Sequence, residues 1–415
     1  MKIAFIVGAF PALSETFILN QITGLIDLGH EVDIYSRMTP RQGKIHPDVE
    51  KYNLYARTYY LNDVPKNKIK RILKAIKLFA INFHKSPLTI FKSLNIFKYG
   101  REALSLYLFY HAVAFLRKQY DIIHCHFGPN GNFGILMREV GAIEGKVITS
   151  FHGYDVNVIN QNDYYTQLFK YRDLFTTNTE FTKKRVLGLG GDFKKIRILP
   201  VGLYLDKFPY RERVIRTGEV IRILTVARLV EKKGLEYSIR AVAKVVNKQS
   251  KCKIEYKIAG EGFLKNELKT LISELGMEDK IELLGWCDQD EVRKLFGESH
   301  IFILSSVTAE NGDREGQGLV LQEAQAVGMP VISTLHNGIP EGVQDGKSGF
   351  LVPERDVDAL AEKLEYLILH PEIWPKMGRA GRKYVEEHYD IKKLNQRLVK
   401  IYEELLSGTS ECGSV

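Results

Sequence analysis

Two α/β units in tandem, each a parallel sheet wrapped by helices, are what this sequence predicts. Three observations carry the expectation. Short apolar runs alternate with amphipathic helical stretches from end to end, the mark of stacked βα units. The pattern starts afresh near residue 220, after Pro200-Val201-Gly202 and a charged stretch from Arg211 to Glu219. The length, 415 residues, exceeds one ordinary domain and fits two or three.

In the first half, strands are expected at 3–7, 31–35, 121–125, 146–150, 174–177 and 196–200. The opening Met1-Lys2-Ile3-Ala4-Phe5-Ile6-Val7-Gly8 has one basic residue and no clear cleavage site. It reads as a buried first strand entering a turn rather than as a signal peptide. Ile18, Ile22, Leu25 and Ile26 follow with a helical period. The longest lipid-like stretch, 103–116, covers 14 residues and contains Ser105 and His111. A spanning helix needs about 20, so no transmembrane helix is expected.

In the second half, strands are expected at 222–226, 254–259, 281–284, 301–304, 330–333 and 350–352. Leu235, Ile239, Val242 and Val246 line one face of the first helix between them. A last helix, 391–406, carries Leu394, Leu398, Ile401 and Leu405 on one stripe, and the small polar tail 407–415 is expected to fray. The boundaries expected are 1–205 for an acceptor domain, 206–388 for a donor domain, and 389–415 for the last helix and tail. Open α/β sheets bind ligands at their carboxyl strand ends, so a cleft is expected where the two sets of ends face each other.

Hydrophobic residues are 45% and charged ones 26%, ordinary for a soluble globular protein. Cys125, Cys252, Cys287 and Cys412 show no CxxC spacing, which argues against a disulfide framework or structural zinc and fits a reducing, cytoplasmic compartment. Net charge is +9, but eight lysines and two arginines lie between Lys66 and Arg101 with no Asp or Glu. The rest of the chain is close to neutral, so the basicity points to one anionic surface as a partner. There Ile69, Ile72, Leu73, Ile76, Phe79, Ala80 and Phe83 fall on one helical face, and Lys66, Lys70, Lys74 and Lys77 on another. A basic amphipathic helix suits the membrane interface. The alternative is that the apolar face packs on the first domain's core. No nucleic-acid partner is expected.

The motifs narrow the chemistry. A GxGxxG fingerprint is absent, since Gly260-Glu261-Gly262 lacks the third glycine, and there is neither a GxxxxGK[ST] loop nor HExxH. His124 and His126 share a strand face without a third ligand nearby, and are expected to be polar strand-end residues facing the cleft rather than a metal site. The strongest constellation is Glu315-Gly316-Gln317-Gly318-Leu319-Val320-Leu321-Gln322-Glu323. Glycines let the backbone approach a ligand. The N–H groups of Gly318, Leu319 and Val320 at a helix start would suit a diphosphate. Glu315 and Glu323 could each accept paired hydrogen bonds from vicinal hydroxyls of a ribose or hexose. The plainer reading is a capped surface helix with solvated glutamates.

Arg228, where a strand ends, and Lys233, before Gly234, would put two cations at the same carboxyl edge. They could neutralise a departing diphosphate without a metal. Ser150-Phe151-His152-Gly153-Tyr154-Asp155 also follows a strand, and its imidazole could bond a sugar hydroxyl or a phosphate.

Together these elements resemble glycosyltransferase family 4. The family's E-x7-E motif falls on Glu315 and Glu323, its Arg/Lys pair on Arg228 and Lys233, and its HG-x-D motif on His152, Gly153 and Asp155. Leu199-Pro200-Val201-Gly202, Ala326-Val327-Gly328-Met329-Pro330-Val331 and Gly346-Lys347-Ser348-Gly349-Phe350-Leu351-Val352 also match, and the resemblance covers nearly the whole chain. The opening Phe10-Pro11-Ala12-Leu13-Ser14-Glu15-Thr16-Phe17-Ile18 is similar to the exopolysaccharide branch, the colanic-acid and amylovoran type. One departure is Ala9-Phe10-Pro11, where many members have two glycines in the first loop.

The resemblance implies the GT-B fold: two Rossmann-like domains facing across a cleft, with the last helix crossing back to the first. It implies a retaining, metal-independent enzyme without cofactor, moving a sugar from a UDP- or GDP-sugar to a glycan acceptor. That acceptor would be a lipid-linked glycan or a polysaccharide, at the inner face of the cell membrane. Arg228 and Lys233 would hold the diphosphate. Glu323 would bind the ribose, and Glu315 with Gly316, Gly318, Leu319 and Val320 the donor sugar and phosphates. His152 would bond a sugar hydroxyl, and Ser14 and Glu15, like Lys70, Lys74 and Lys77, would face the acceptor or the membrane. No carboxylate of the first domain stands out as a covalent nucleophile, which leaves an internal-return mechanism. The rival readings are a GT-B nucleotide-sugar 2-epimerase or phosphorylase, and a non-catalytic assembly subunit.

Overall fold

The computed structural model describes every residue except 13–14, 41–44, 62, 117, 158–162, 172, 250–251 and 409–415. The chain divides into two compact units. One holds 1–177, 183–199 and the residues from Asn395 on; the other holds 178–182 and 200–394.

The first unit carries strands β1 (Lys2–Ala9), β2 (Glu31–Met38), β3 (Thr58–Tyr60), β4 (Lys118–His126), β5 (Ile143–Phe151), β6 (Leu174–Thr177) and β7 (Ile196–Ile198). They form one sheet in the order β3-β2-β1-β4-β5-β6-β7, every pair parallel. The second unit carries β8 (Ile221–Val226), β9 (Ile254–Ala259), β10 (Ile281–Gly285), β11 (Ile301–Leu304), β12 (Val331–Thr334) and β13 (Gly349–Val352). Its order is β10-β9-β8-β11-β12-β13, again all parallel. All twelve expected strands are present. β3 was not expected, because its Thr-Tyr-Tyr is half-buried at the sheet edge and has no apolar run to signal it.

Parallel strands covered on both faces read as continuous apolar runs. Residues 3–7 of β1 are wholly buried for this reason. In the second unit, Ile223, Ile303 and Ile332 face Leu235, Ile239 and Val242 of the helix Leu235–Lys248. Their neighbours Leu224, Phe302, Leu304 and Val331 pack on the other side with Phe296 and Leu321. Each such side chain contributes about 1.5–3 kcal/mol by leaving water. Strand order reverses between β1 and β4, and between β8 and β11, and these switch points open a crevice at the carboxyl ends.

The stretch after residue 200 is not a free linker. Arg213 is buried in the second unit and donates to the carbonyls of Gly297 (3.0 Å) and Val327 (2.8 Å). The last helix, Ile391–Ser407, buries the expected stripe Leu394, Leu398, Ile401 and Leu405. From Asn395 on it belongs to the first unit, where Glu404 pairs with Arg197 and Tyr402 is wholly buried. Of the expected frayed tail, 409–415 lie outside the described residues. Among the described residues no helix is long and apolar enough to cross a membrane.

Candidate active site

In the second unit β8 ends at Val226, beside the switch point, and the chain turns through Ala227-Arg228-Leu229. Leu229 is wholly buried and anchors the turn, leaving Arg228 exposed. The turn is fastened to the loop after β9. Ala227 N–H donates to Ala259 O, and Leu229 N–H to Glu261 O, each at 2.9 Å. A Cβ on Gly260 would lie 1.9 Å from Ala227 O, and one on Gly262 2.2 Å from Leu229 O. The Gly260-Glu261-Gly262 pair, uninformative as a nucleotide fingerprint, is what lets these two loops touch. Glu231–Lys233 then form a single tight turn ending at Gly234, whose φ of +58° favours glycine. Ser305, just past β11, donates from Oγ to Gly234 O at 2.7 Å and rivets the turn to the other side of the switch point.

The adjacent lysines have different fates. Lys232 is buried and donates to Asp313 Oδ1 (3.1 Å) and Arg314 O (3.3 Å), fixing the loop that leads into Glu315. Lys233 donates to the Glu315 carboxylate. Burial pushes the Glu315 carboxyl up, but Lys233, with help from Lys232 and His336, outweighs it and brings its pKa down to about 2. The Glu315 backbone is clasped by residues that no local sequence signal marks. Its N–H donates to His336 Nε2 at 3.1 Å, and its carbonyl accepts from Asn337 Nδ2 at 3.0 Å. His336 Nδ1 must then carry the ring hydrogen and donate to Glu354 Oε1 at 2.6 Å. Glu354 also accepts from Thr308 N–H at 2.8 Å. Removing this clasp has a measurable consequence. His336→Ala leaves Glu354 Oε1 and the Glu315 amide without the ring that bonds both, and is expected to cost about 1–3 kcal/mol in a denaturant melt, with a fall in kcat/KM. A variant as stable and active as the parent would show that the ring does not position Glu315.

Gln317 is buried, with its amide on both Val201 N–H and Val201 O at 2.8 Å. Gly318 takes φ +72° and caps the helix Leu319–Ala326. Gly316 O lies so near Gly338 that a Cβ there would stand 2.4 Å from it. The first amides of a helix have no intrahelical acceptor, so those of Leu319 and Val320 point out of the helix start. The Glu323 carboxylate, one turn on, has no hydrogen bond or ion pair among the described residues. Burial pushes its pKa up to about 7.

The second unit thus carries Arg228, Lys233, Glu315, Gly316 and Gly318 on loops, and Leu319, Val320 and Glu323 on the helix Leu319–Ala326, around one switch point. Glu341, also unmarked by sequence reading, accepts from Glu180 N–H (2.7 Å) and Phe181 N–H (3.0 Å) and ties 178–182 into this unit.

His152 stands in the first unit, at the carboxyl end of β5. Asp155 holds its loop, with Oδ1 accepting from His152 and Gly153 N–H at 3.1 Å and Oδ2 from Gly128 N–H at 2.8 Å. His152 Nε2 and His126 Nδ1 are 3.0 Å apart, their rings parallel within 5°. His126 stacks in turn on His124, whose nitrogens meet Tyr402 Oη (2.6 Å) and Ser150 Oγ (2.7 Å). The expectation that His124 and His126 face a cleft is therefore wrong: both are wholly buried. Tyr402 of the last helix covers His124, and Phe5, Phe17 and His152 surround His126. Burial lowers the pKa of His124 and His152 to about 3, so His152 is a neutral imidazole at neutral pH.

Ser14 lies outside the described residues. Burial raises the pKa of Glu15 to about 6, and its Oε2 has no partner among the described residues. Lys70 and Lys77 are exposed on the helix Lys68–Asn82. Lys74 does not join them. It turns toward the preceding loop and pairs with Asp63 at 2.5 Å, a partner eleven residues away that a helical projection does not contain.

Residues 14–207 match the model of Glycosyltransferase Family 4, and 206–384 that of Glycosyl transferases group 1. The amylovoran biosynthesis glycosyltransferase AmsK of Erwinia amylovora is 35% identical over 413 residues, 98% of this chain and 100% of AmsK. The chain belongs to the family 4 glycosyltransferases. WcaL of Escherichia coli, named for colanic acid biosynthesis, is 36% identical to this family member over 415 residues, 98% of this chain and 100% of WcaL. Among solved structures, Anabaena HepE in complex with UDP and glucose superposes with a TM-score of 0.69 at 16% identity, covering 98% of this chain and 100% of HepE. That likeness shows the fold, GT-B, and family membership makes the chain a glycosyltransferase enzyme.

Proposed function

We propose that this enzyme transfers a sugar, with retention and without a metal, from a UDP- or GDP-sugar to a lipid-linked or polysaccharide acceptor in exopolysaccharide assembly at the inner face of the cell membrane. The observation that carries the donor assignment is the Lys233–Glu315 pair clasped by His336, set beside exposed Arg228 and the open amides of Leu319 and Val320. Phosphate oxygens suit those amides and Arg228. The unpartnered Glu323 carboxylate suits a ribose diol, and Glu315, ionised throughout the neutral range, suits hydroxyls of the donor sugar. The names of AmsK and WcaL support exopolysaccharide as the setting, and HepE's bound UDP and glucose support a nucleotide-sugar donor.

As the glycosidic bond breaks, charge develops on the diphosphate. Preorganised cations and amides stabilise it there more than in the ground state. The departing phosphate oxygen then takes the acceptor hydroxyl's proton while the acceptor oxygen bonds the anomeric carbon on that same face, and the configuration is kept. Neutral His152 bonds a sugar hydroxyl in this reading, which the HG-x-D resemblance at His152, Gly153 and Asp155 supports.

A panel of nucleotide sugars tests the reading. Slow release of the nucleoside diphosphate without acceptor supports it, and its acceleration by a glycan acceptor supports it further. An epimerised donor would instead make the enzyme a 2-epimerase, and failure to bind any donor would make it a non-catalytic subunit. A melting shift with UDP or GDP, but not both, assigns the base. Transfer in excess EDTA is expected to continue undiminished, because cations of the protein serve the diphosphate; a strict requirement for a divalent ion would overturn metal independence.

A further inference from the structure

Three helices, Lys68–Asn82, Pro87–Ser93 and Ile96–Leu104, lie on the buried helix Tyr107–Phe115 of the first unit. Their inner faces are satisfied. Ala75 and Ile90 join Phe109 and Tyr110 in a small core, with Phe79 and Phe83 packed against it. Arg71 turns inward, donating to Pro65 O (2.8 Å) and Ser105 O (3.2 Å).

Their outer faces are apolar. Ile69, Ile72, Leu73 and Ile76, spaced as one helical stripe, are all exposed, Ile69 by 71%. Phe91 and Phe97 continue the exposure on the next two helices, and Phe97 is 98% exposed. Single exposed apolar residues need no explanation, but a contiguous set marks an interaction surface. The packing alternative for the stripe is thereby decided residue by residue: Phe79 and Phe83 pack inward, whereas Ile69, Ile72, Leu73 and Ile76 do not.

We propose that this face docks on an anionic phospholipid bilayer, with the apolar side chains entering the boundary between headgroups and acyl chains and Lys70 and Lys77 meeting lipid phosphates. Charge complementarity selects this occupant. Lys66, Lys70 and Lys77 are exposed beside the stripe, and no acid occurs from 66 to 101. Lysine is depleted at the core of protein interfaces, whereas lysine flanking an aliphatic and aromatic face is the composition of helices that lie in a membrane surface. The segment also leaves the sheet at the carboxyl end of β3, the edge that carries His152 at the end of β5. This rests on the reading of a membrane-held acceptor, but its test needs no sugar.

The full chain is sedimented with vesicles of equal parts phosphatidylglycerol and phosphatidylethanolamine, and with phosphatidylcholine alone, at low and high salt. The parent protein is expected to sediment with the anionic vesicles at least about tenfold more strongly than with phosphatidylcholine, and less at high salt. Ile69→Ser with Ile76→Ser, and Lys70→Glu with Lys77→Glu, are each expected to weaken anionic-vesicle binding by at least about tenfold. Their melting temperatures should stay at the parent value, because all four side chains are exposed. Equal, negligible sedimentation with both vesicle types overturns the proposal. So does either double variant binding as the parent does, or a dimer in sedimentation velocity that Ile69→Ser abolishes, which would make a second copy the occupant. Donor turnover without vesicles is unaffected by any of these results, so failure of docking leaves the transferase reading standing.

Discussion

Replacing Lys233 by alanine is expected to lower turnover by roughly 10²–10³-fold, the loss typical when one preorganised donor to developing charge is removed. The structure adds a second consequence. Lys233 is the cation that holds Glu315 ionised against burial. Without it the carboxylate stands in the loop with only Lys232 and His336 to compensate, and the variant should melt earlier than the parent. The pH dependence follows with a definite sign. A carboxyl lowered from 4.5 to about 2 contributes stability that is present above about pH 4.5 and is lost as pH falls toward 2. Lys233→Ala should flatten that acid limb. Arg228→Ala is the informative contrast, since the Arg228 side chain is exposed and has no ion pair or hydrogen bond among the described residues. It should reduce turnover by a similar factor while leaving the melt unchanged. Steady-state kinetics and thermal melts on both variants check this. Activity of either within a few-fold of the parent would remove that residue from the diphosphate site.

How much of this was legible in the sequence depends on how local the cause is. The sheets were legible because strands buried on both faces must be apolar throughout, as residues 3–7 and 301–304 are. β3 was not, because an edge strand of three half-buried residues leaves no run to find. The glycine loop at 316–318 and the paired carboxylates Glu315 and Glu323 were legible for the same local reason, since their spacing along one loop and helix is itself the signal.

Residues that act through tertiary packing were silent. His336 and Glu354 reach Glu315 from the loops after β12 and β13, and a single histidine after a strand is not distinctive. His124 and His126 alternate along β4 like polar residues on an open face. They are buried because Tyr402, 278 residues later, packs on His124, while Phe5, Phe17 and His152 pack around His126. Lys74 sits among the basic residues of a helical projection, yet Asp63 neutralises it.

Glu323→Gln is expected to weaken nucleoside diphosphate binding by about 1.5–3 kcal/mol above pH 7, the range for hydrogen bonds to a charged group. Its pH dependence distinguishes a ribose-binding carboxylate from a surface glutamate. Burial raises the Glu323 pKa from 4.5 to about 7. In the free enzyme this favours the protonated form, so the group's contribution to stability is fully present below about pH 4.5 and is lost as pH rises through 7. A ribose diol donates two hydrogen bonds and needs the ionised carboxylate to accept both. Binding below pH 7 must therefore expel a proton, and affinity should rise by about tenfold per pH unit until about pH 7 and then level off. The nucleotide's own phosphate titrates in the same range, but it does so equally with both proteins. The difference between the parent and Glu323→Gln, measured by calorimetry across pH, isolates the carboxyl. Parallel profiles, or an affinity that the substitution leaves unchanged, would make Glu323 a helix-surface residue and return the ribose to another partner.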